Sequence, residues 1–535
     1  VGQSEVSLCP FATSDISVTI NSVSVAGNTV LSQTAIDKAG GDRLGAPTKL
    51  SAVCEIRNAL IDAYRAKGYP LTRVELPEQR ITSDGVLKFV AIEAGLRAVE
   101  VTDNAKSAPF ANIVDGYAAR LRATTAGEPL KWANVERFAL LMRETPGVVA
   151  RLELRPGAAA PAQAANPADP ADPITTPTAQ PLDLFVSLEK PDRFGSFYSL
   201  QRNSADVFGR YAGVVGGQMR GVMPWGGDEL SGALFSTQTG RQAVALVSYG
   251  WLHGSGLALK GSAAYAETKP GKVFAPLDLR GQSTSFSLTA TYPFLLRSSY
   301  RLEGSMGLEY VDQDNFIFED DTISNDKIRV GTTKLSFSWR DIEKRRANAS
   351  ASIEYRNGLE SLDATLANDP LLSRIDANPQ AESYRIRAQG EFRLTRDGPG
   401  VNLSADAQLA EEVLVSFEQY QVGNLTFGRG YDPGTIVGDR GFGGRFEVMG
   451  GRYAAPALAE LQFEPYTFYD ATHVEALSPT ALEPERKIDS WGAGLRLKYA
   501  ERGALDIGFA RALDTPARNQ KKPAAQFLMN LIVQF

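Results

Sequence analysis

A chain of 535 residues with a formal net charge of −6 and a pI near 5.4 has no basic surplus for a nucleic-acid partner. Hydrophobic residues make up 43% and mean hydropathy is −0.19, and no apolar run of about eighteen residues occurs. This excludes a transmembrane helix but not a transmembrane barrel, which hides its lipid-facing residues at every second position.

Two cysteines and two distant histidines, His253 and His473, exclude a Cys/His metal site. No glycine-rich loop ends in Gly-Lys-Ser/Thr, so there is no nucleotide site, and no cofactor is expected. The chain starts at Val1 with no recognisable signal peptide, the start expected of a processed protein.

Residues 16–25 (ISVTINSVSV) alternate as a strand. In KLSAVCEIRNALIDAYRAKGY, Leu50, Val53, Leu60, Ile61 and Tyr64 recur at helical spacing, and Gly68 ends the helix. LTRVELPEQRI and GVLKFVAIEA follow as two strands joined by SDG. The strand, helix, helix, strand, strand pattern then recurs. LRAVEV is a strand, 109–122 a helix, KWANVERFALLM a second helix and VVARLEL (148–154) a strand. Pro156–Pro181 is low-complexity Ala/Pro, extended and unable to form a packed core. It reads as an insertion, because LDLFVSLEK (182–190) alternates and supplies the strand that the second module still lacks.

From residue 194 the dominant signal is period two. In QSTSFSLTATY, Phe286, Leu288, Ala290 and Tyr292 share one face and serines and threonines the other. In SYRIRAQGEFRL, Arg385, Arg387, Gln389, Glu391 and Arg393 oppose Tyr384, Ile386, Ala388 and Phe392. Such segments fall near 194–203, 208–222, 227–238, 241–253, 256–267, 282–292, 298–312, 328–340, 347–357, 383–396, 400–411, 443–451, 458–470, 489–500, 503–512 and 525–535. Strands of about ten residues suit a tilted bilayer crossing. A soluble sandwich or propeller would alternate too, but its apolar face would not be so diluted by Ala and Gly. The fold expected is therefore a transmembrane β-barrel of about sixteen antiparallel strands, preceded by two small α/β modules. HGSG (253–256) lacks the Gly-x-Ser-x-Gly elbow and sits at a strand end, so no enzyme is expected.

Leu425–Gly444 reads LTFGRGYDPGTIVGDRGFGG, with seven glycines, two arginines and two aspartates. GRGY (Gly428–Tyr431) resembles the Val-Arg-Gly-Tyr motif of the barrel-insertase (BAM) superfamily, with Gly428 in place of the valine, and GDRGFGGRFEV extends the match through Asp439, Arg440 and Gly441. FYDAT (Phe468–Thr472) resembles the Phe-x-Asp motif of a barrel strand, and GYPLTRVELPEQRITSDGVLKFVAIEAG resembles a polypeptide-transport (POTRA) pattern. Together these resemble the outer-membrane transporters of two-partner secretion, the TpsB family, over nearly the whole chain.

That resemblance implies an N-terminal extension at 1–14, POTRA modules at 15–95 and 96–192 with the Ala/Pro insertion at about 156–181, and a barrel at 193–535. It implies a loop at about 412–443 folded into the lumen, with Arg429 meeting the Asp470 carboxylate bidentately, Tyr431 packed beside it and Gly430 allowing close approach. Phe468 and Asp470 then face inward and Tyr469 faces lipid. The fourteen residues before the first module are too few for the plug helix and linker of several members. Cys9 and Cys54 are either a stray and a buried thiol or one disulfide, and the oxidising compartment implied by the resemblance favours the disulfide.

The implied location is the bacterial outer membrane with the modules in the periplasm. The implied partners are a β-helical secreted exoprotein of the adhesin or haemolysin kind, outer-membrane lipid, and the BAM machinery for the barrel's own insertion. Alternatives are a barrel-assembly factor of the same superfamily and a passive diffusion porin, which has no use for periplasmic docking modules.

Overall fold

The computed structural model describes residues 11, 14–103, 109–158, 179–318, 321–424, 426–455, 458–500, 502–517 and 520–535. Two compact units divide it: Val1–Glu144 with Val148–Pro191, and Thr145–Gly147 with Asp192–Phe535.

The first unit contains β1 (Ser17–Thr19), β2 (Ser22–Ala26), α1 (Gln33–Gly40), β3 (Pro47–Lys49), α2 (Ala52–Ala66), β4 (Arg73–Glu75) and β5 (Val86–Asp103). It continues with α3 (Phe110–Thr125), α4 (Trp132–Glu144), β6 (Ala150–Pro156) and β7 (Ala179–Leu188). On α2, Val53, Ile56, Leu60 and Tyr64 fall on one face and are buried against Ile20, Leu87 and Phe89. The helix stops before Gly68, whose φ of 93° suits glycine. On α4, Val135, Phe138 and Met142 form the buried stripe.

The sheet runs β2-β5-β7-β6, with β4 pairing β5. GVLKFVAIEA and LRAVEV are one strand rather than two. The first half of β5 pairs with β2 and β4 and the second half with β7, so a single 18-residue strand threads both modules. A register shift between Leu96 and Ala98 absorbs the irregularity that Gly95 signals in the sequence. At this junction Glu93 is buried but satisfied: it accepts from the Thr29 amide at 2.8 Å, and the Tyr64 hydroxyl lies 3.2 Å away. Burial and this carboxylate push the Tyr64 phenol well above its usual pKa, so it stays a proton donor. β6 and β7 form an antiparallel hairpin whose pairing runs to Pro156 and Leu182. Most of the Ala/Pro insertion, residues 159–178, lies outside the described residues.

The second unit is a closed antiparallel barrel of sixteen strands. These begin with β8 (Phe194–Gln201), β9 (Ala212–Arg220), β10 (Asp228–Thr237), β11 (Gln242–Leu252), β12 (Ala258–Thr268) and β13 (Arg280–Leu296). β14 (Tyr300–Ile317), β15 (Asp321–Arg340), β16 (Ala347–Gly358), β17 (Glu382–Arg393) and β18 (Gly400–Ala410) follow. After a long connection holding the short hairpin β19 (Tyr420–Val422) and β20 (Ile436–Gly438) comes β21 (Arg440–Met449). A three-residue piece, β22 (Tyr453–Ala455), precedes β23 (Leu458–Glu475), β24 (Glu485–Tyr499), β25 (Gly503–Ala512) and β26 (Gln526–Gln534). β26 pairs with β8 and closes the ring.

Leu234, Phe286, Leu288, Leu308, Phe337 and Phe446 point outward and are exposed, an apolar belt that lipid accepts and water does not. Inward positions carry hydroxyls and charges. β14 and β15 reach well past the alternating segments, because beyond the lipid belt a strand pair stands in water and needs no apolar face.

Candidate functional site

The connection after β18 turns inward and lies against the inner wall made by β21, β23, β24 and β25. An apolar cluster seats it. Tyr420, Val422, Tyr431 and Ile436 of the loop form one buried cluster with Val474, Ile488 and Ala512 of the wall. Tyr420 also covers Gly441, where a Cβ would lie 2.0 Å from its ring, so β21 begins at Arg440, earlier than its alternation suggests.

Asp470 sits inward on β23 and is completely buried, as is its neighbour Phe468, while Tyr469 between them is exposed on the outside. Its carboxylate has four donors. Arg445, directly opposite in register on β21, donates Nε to Oδ1 at 2.6 Å and Nη2 to Oδ2 at 3.0 Å. The backbone amides of Gly428 and Arg429 each donate to Oδ2 at 3.0 Å. The bidentate partner of Asp470 is therefore Arg445, not Arg429, because a strand neighbour in register presents a planar fork to the carboxylate, while the loop guanidinium is stacked over the Phe468 ring with its Nε 3.7 Å away.

The Arg429 guanidinium has three other contacts. It is 3.7 Å from Asp470, 3.3 Å from Glu447 and 3.3 Å above the Phe468 ring centroid. Beyond it the charges continue. Arg496 lies 2.7 Å from Glu447 and 3.3 Å from Glu464, and Glu464 lies 2.6 Å from Arg393.

Tyr431 is buried, its hydroxyl set between the carbonyls of Asp489 and Asp514 at 3.0 and 3.1 Å and accepting from the Asp514 amide at 2.9 Å. At Gly430 a Cβ would lie 2.6 Å from the Ala512 backbone nitrogen, so only glycine fits. Asp439 ends the loop. It is fully buried and accepts from the Leu414 and Leu477 amides at 2.8 and 2.7 Å and from both guanidinium arms of Arg374. Arg374 comes from the β16–β17 connection and carries no sequence signal. Arg440 donates to the Ala410 carbonyl and lies 3.6 Å from Glu475.

Arg445 was legible in GGRFEV, since alternation puts it and Glu447 on one face, but only its register against Asp470 gives it a role. Cys54 is buried on α2 and is not a free thiol, while Cys9 lies outside the described residues. HGSG forms the β11–β12 turn, with His253 Nδ1 2.9 Å from Ser255 Oγ.

In the first unit a groove of about 1,260 Å³ runs between α2 and β4. Val53, Ile61, Leu71, Val74, Leu76 and Ile81 line it, with Arg57 and Glu78 among the charged side chains. Among the described residues β4 pairs only with β5.

Comparison with known proteins places this architecture. Residues 242–497 match the profile of the haemolysin secretion/activation proteins ShlB/FhaC/HecB, and residues 18–94 that of the ShlB-type POTRA domain. The heme/hemopexin transporter protein HuxB of Haemophilus influenzae strain Rd is 23% identical over 505 residues, covering 92% of this chain and 82% of HuxB. HuxB of strain 86-028NP is 22% identical over 506 residues with the same coverage. Among solved structures, CdiB from Escherichia coli superposes with a TM-score of 0.76 at 14% identity, covering 100% of this chain and 94% of CdiB. CdiB from Acinetobacter baumannii gives 0.68 at 17% identity, covering 100% and 93%. The chain belongs to the ShlB/FhaC/HecB family of outer-membrane secretion transporters, whose POTRA domains stand in the periplasm.

Proposed function

We propose that the chain recognises one secreted partner exoprotein through its POTRA modules and passes it, unfolded, through the barrel to the cell surface. The observation that carries this reading is the groove beside β4. An extended polypeptide can add as a strand to the β4 edge that no described strand pairs and place alternate side chains on the apolar floor between β4 and α2. Main-chain hydrogen bonds then give affinity without demanding a particular sequence, which suits an unfolded cargo. The periplasm holds no ATP, and folding of the cargo outside supplies the drive. The inward loop is the element that transport has to accommodate.

The test is deletion of the gene, and separately the groove variant Ile61→Glu. Loss of a single exoprotein from the medium, with other outer-membrane barrels at normal levels, is expected in both. A general fall in barrel proteins would instead make the chain an assembly factor, and unchanged secretion would remove the proposal.

A further inference from the structure

The inner wall of the barrel has two chemically different halves. On β14–β18, β21, β23 and β24 the inward positions are densely charged, with Lys334, Glu354, Arg387, Arg445, Glu447 and Arg496 among them. On β25, β26 and β8–β13 the register leaves four charged residues facing inward: Asp506, Arg220, Glu229 and Lys260. Three of these are accounted for. Asp506 belongs to the Tyr466 and Arg496 cluster, and Arg220 pairs with Glu229 at 3.0 Å near one strand end.

Between them the second half carries an ordered surface. One rung of serines crosses four strands, Ser231, Ser248, Ser262 and Ser287, each opposite the next. The hydroxyls pair among themselves at 2.8 Å (Ser231–Ser248) and 2.6 Å (Ser262–Ser287). The next rung is Ala233, Leu246, Ala264 and Ser285, and the one after it Phe235, Val244, Ala266 and Ser283. Leu246 faces inward and is 44% exposed, so this band meets open lumen.

Among the described residues the inward loop bonds to β16 and β17 through Glu418, to β18 through Tyr420, to β23 through Gly428 and Arg429 and, at Asp432, to the β26–β8 end, while its apolar cluster lies on β23, β24 and β25, so none of these contacts covers the band. A wall inside a closed barrel can be covered only by something that enters the barrel. On the charged half many ions are already paired with one another, Lys334 with Glu354, Arg445 with Asp470 and Arg496 with Glu447 among them, and a passing chain would have to break those pairs. On the other half an extended chain meets charge only at the rung of Glu229 and Lys260 beside the serines, and past it finds hydroxyls that satisfy each other and gains by covering apolar area.

We infer that the sparsely charged wall from β10 to β13 is the track along which a polypeptide crosses the barrel, its apolar side chains against Leu246, Val244 and Phe235. The inference rests on the transport reading and adds to it the path and the chemistry of the cargo segment, an extended stretch with apolar residues at every second position.

The experiment uses the full chain in proteoliposomes and, as probe, a biotinylated synthetic peptide of alternating leucine and serine long enough to span the barrel. Benzoylphenylalanine replaces Val244 or Ala264 on one wall, and Lys334 or Gln389 on the other. Photocapture from the first pair and not the second is expected, and Leu246→Glu should lower capture from Ala264 about tenfold. Heat-modifiable gel mobility shows which variants are folded, and the contrast between walls holds without the glutamate variant. Capture from the charged wall, or equally from both, overturns the track while leaving transport standing. Capture from neither wall overturns both.

Discussion

Asp470 is a carboxylate with no access to water, balanced by one arginine from a strand, one from a loop and two loop amides. Removing it leaves Arg445 without its carboxylate and Arg429 with Glu447 alone, and breaking a buried pair in this way costs about 3–5 kcal/mol. Asp470→Ala is therefore expected to dislodge the loop and abolish secretion. Arg445→Ala should do nearly as much, and the double variant little more, because both delete one shared interaction. Arg445→Lys should rescue poorly, since a point charge cannot reproduce the two-armed bond. Arg429→Ala should be milder, as its backbone amide still donates to Asp470. Secretion measured beside the barrel's heat-modifiability tests this order. A deeper loss in Arg429→Ala than in Arg445→Ala would show that the guanidinium over Phe468, not the strand pair, holds the loop.

At the scale of elements, alternation alone predicts sixteen strands, because lipid outside and water inside impose opposite demands on successive residues. It stops where one of those demands stops. The upper parts of β14 and β15, rich in Asp and Asn, stand beyond the lipid and read as loop. The glycines of β21 read as loop because the bulk that fills their space belongs to Tyr420 and Phe427, about twenty residues earlier in the chain. For the same reason the motif residues of the site can be found in the sequence but Arg445 and Arg374 cannot be assigned there, since their partners are fixed by register and by a distant connection. The β6–β7 hairpin gives the element-scale prediction. Its strands pair up to Pro156 and Leu182, and the Gly157 amide donates to the Pro181 carbonyl at 2.8 Å, so the ends that the insertion joins already lie side by side. Replacing residues 159–178 by a short turn should preserve that register and change stability little, since loop-closure entropy varies slowly with length. Circular dichroism melting of the full chain and secretion should both stay near wild type. A lost module fold would make the insertion a structural part.

For the whole barrel, the seam where the last strand meets the first decides closure. β26 and β8 share five register pairs, Asn530 with Gln201 through Gln534 with Phe197, against eight or more at each of the other interfaces between the sixteen strands. Mutual backbone bonds between Phe535 and Ser196 extend one end of it. At the other end Arg202, just past β8, donates its amide to the Met529 carbonyl at 2.8 Å and its guanidinium to the Phe527 carbonyl, and the inward loop reaches the first residue of β26. Asp432 accepts from the Gln526 amide group at 2.9 Å, from the Asp206 backbone amide at 3.3 Å and from Arg210 Nη1 at 3.2 Å. One carboxylate thus ties the last strand to the β8–β9 connection, and the loop that covers the charged wall also fastens the ring. Charge-assisted hydrogen bonds of this kind contribute about 1–3 kcal/mol together when partly exposed. Asp432→Ala is expected to lower the temperature at which the folded band disappears in heat-modifiability gels by a few degrees and to raise the leak current of the reconstituted barrel. Asp432→Asn should fall between Ala and wild type, since its one oxygen still accepts from Gln526 or from the Asp206 amide but not from both, and it loses its charge against Arg210. Asp278→Ala is the control, because Asp278 pairs with Lys269 and Arg280 on the β12–β13 connection, away from the seam, and its loss should move neither reading. If Asp432→Ala and Asp278→Ala behave alike, the five strand pairs close the barrel unaided and the loop serves the lumen alone.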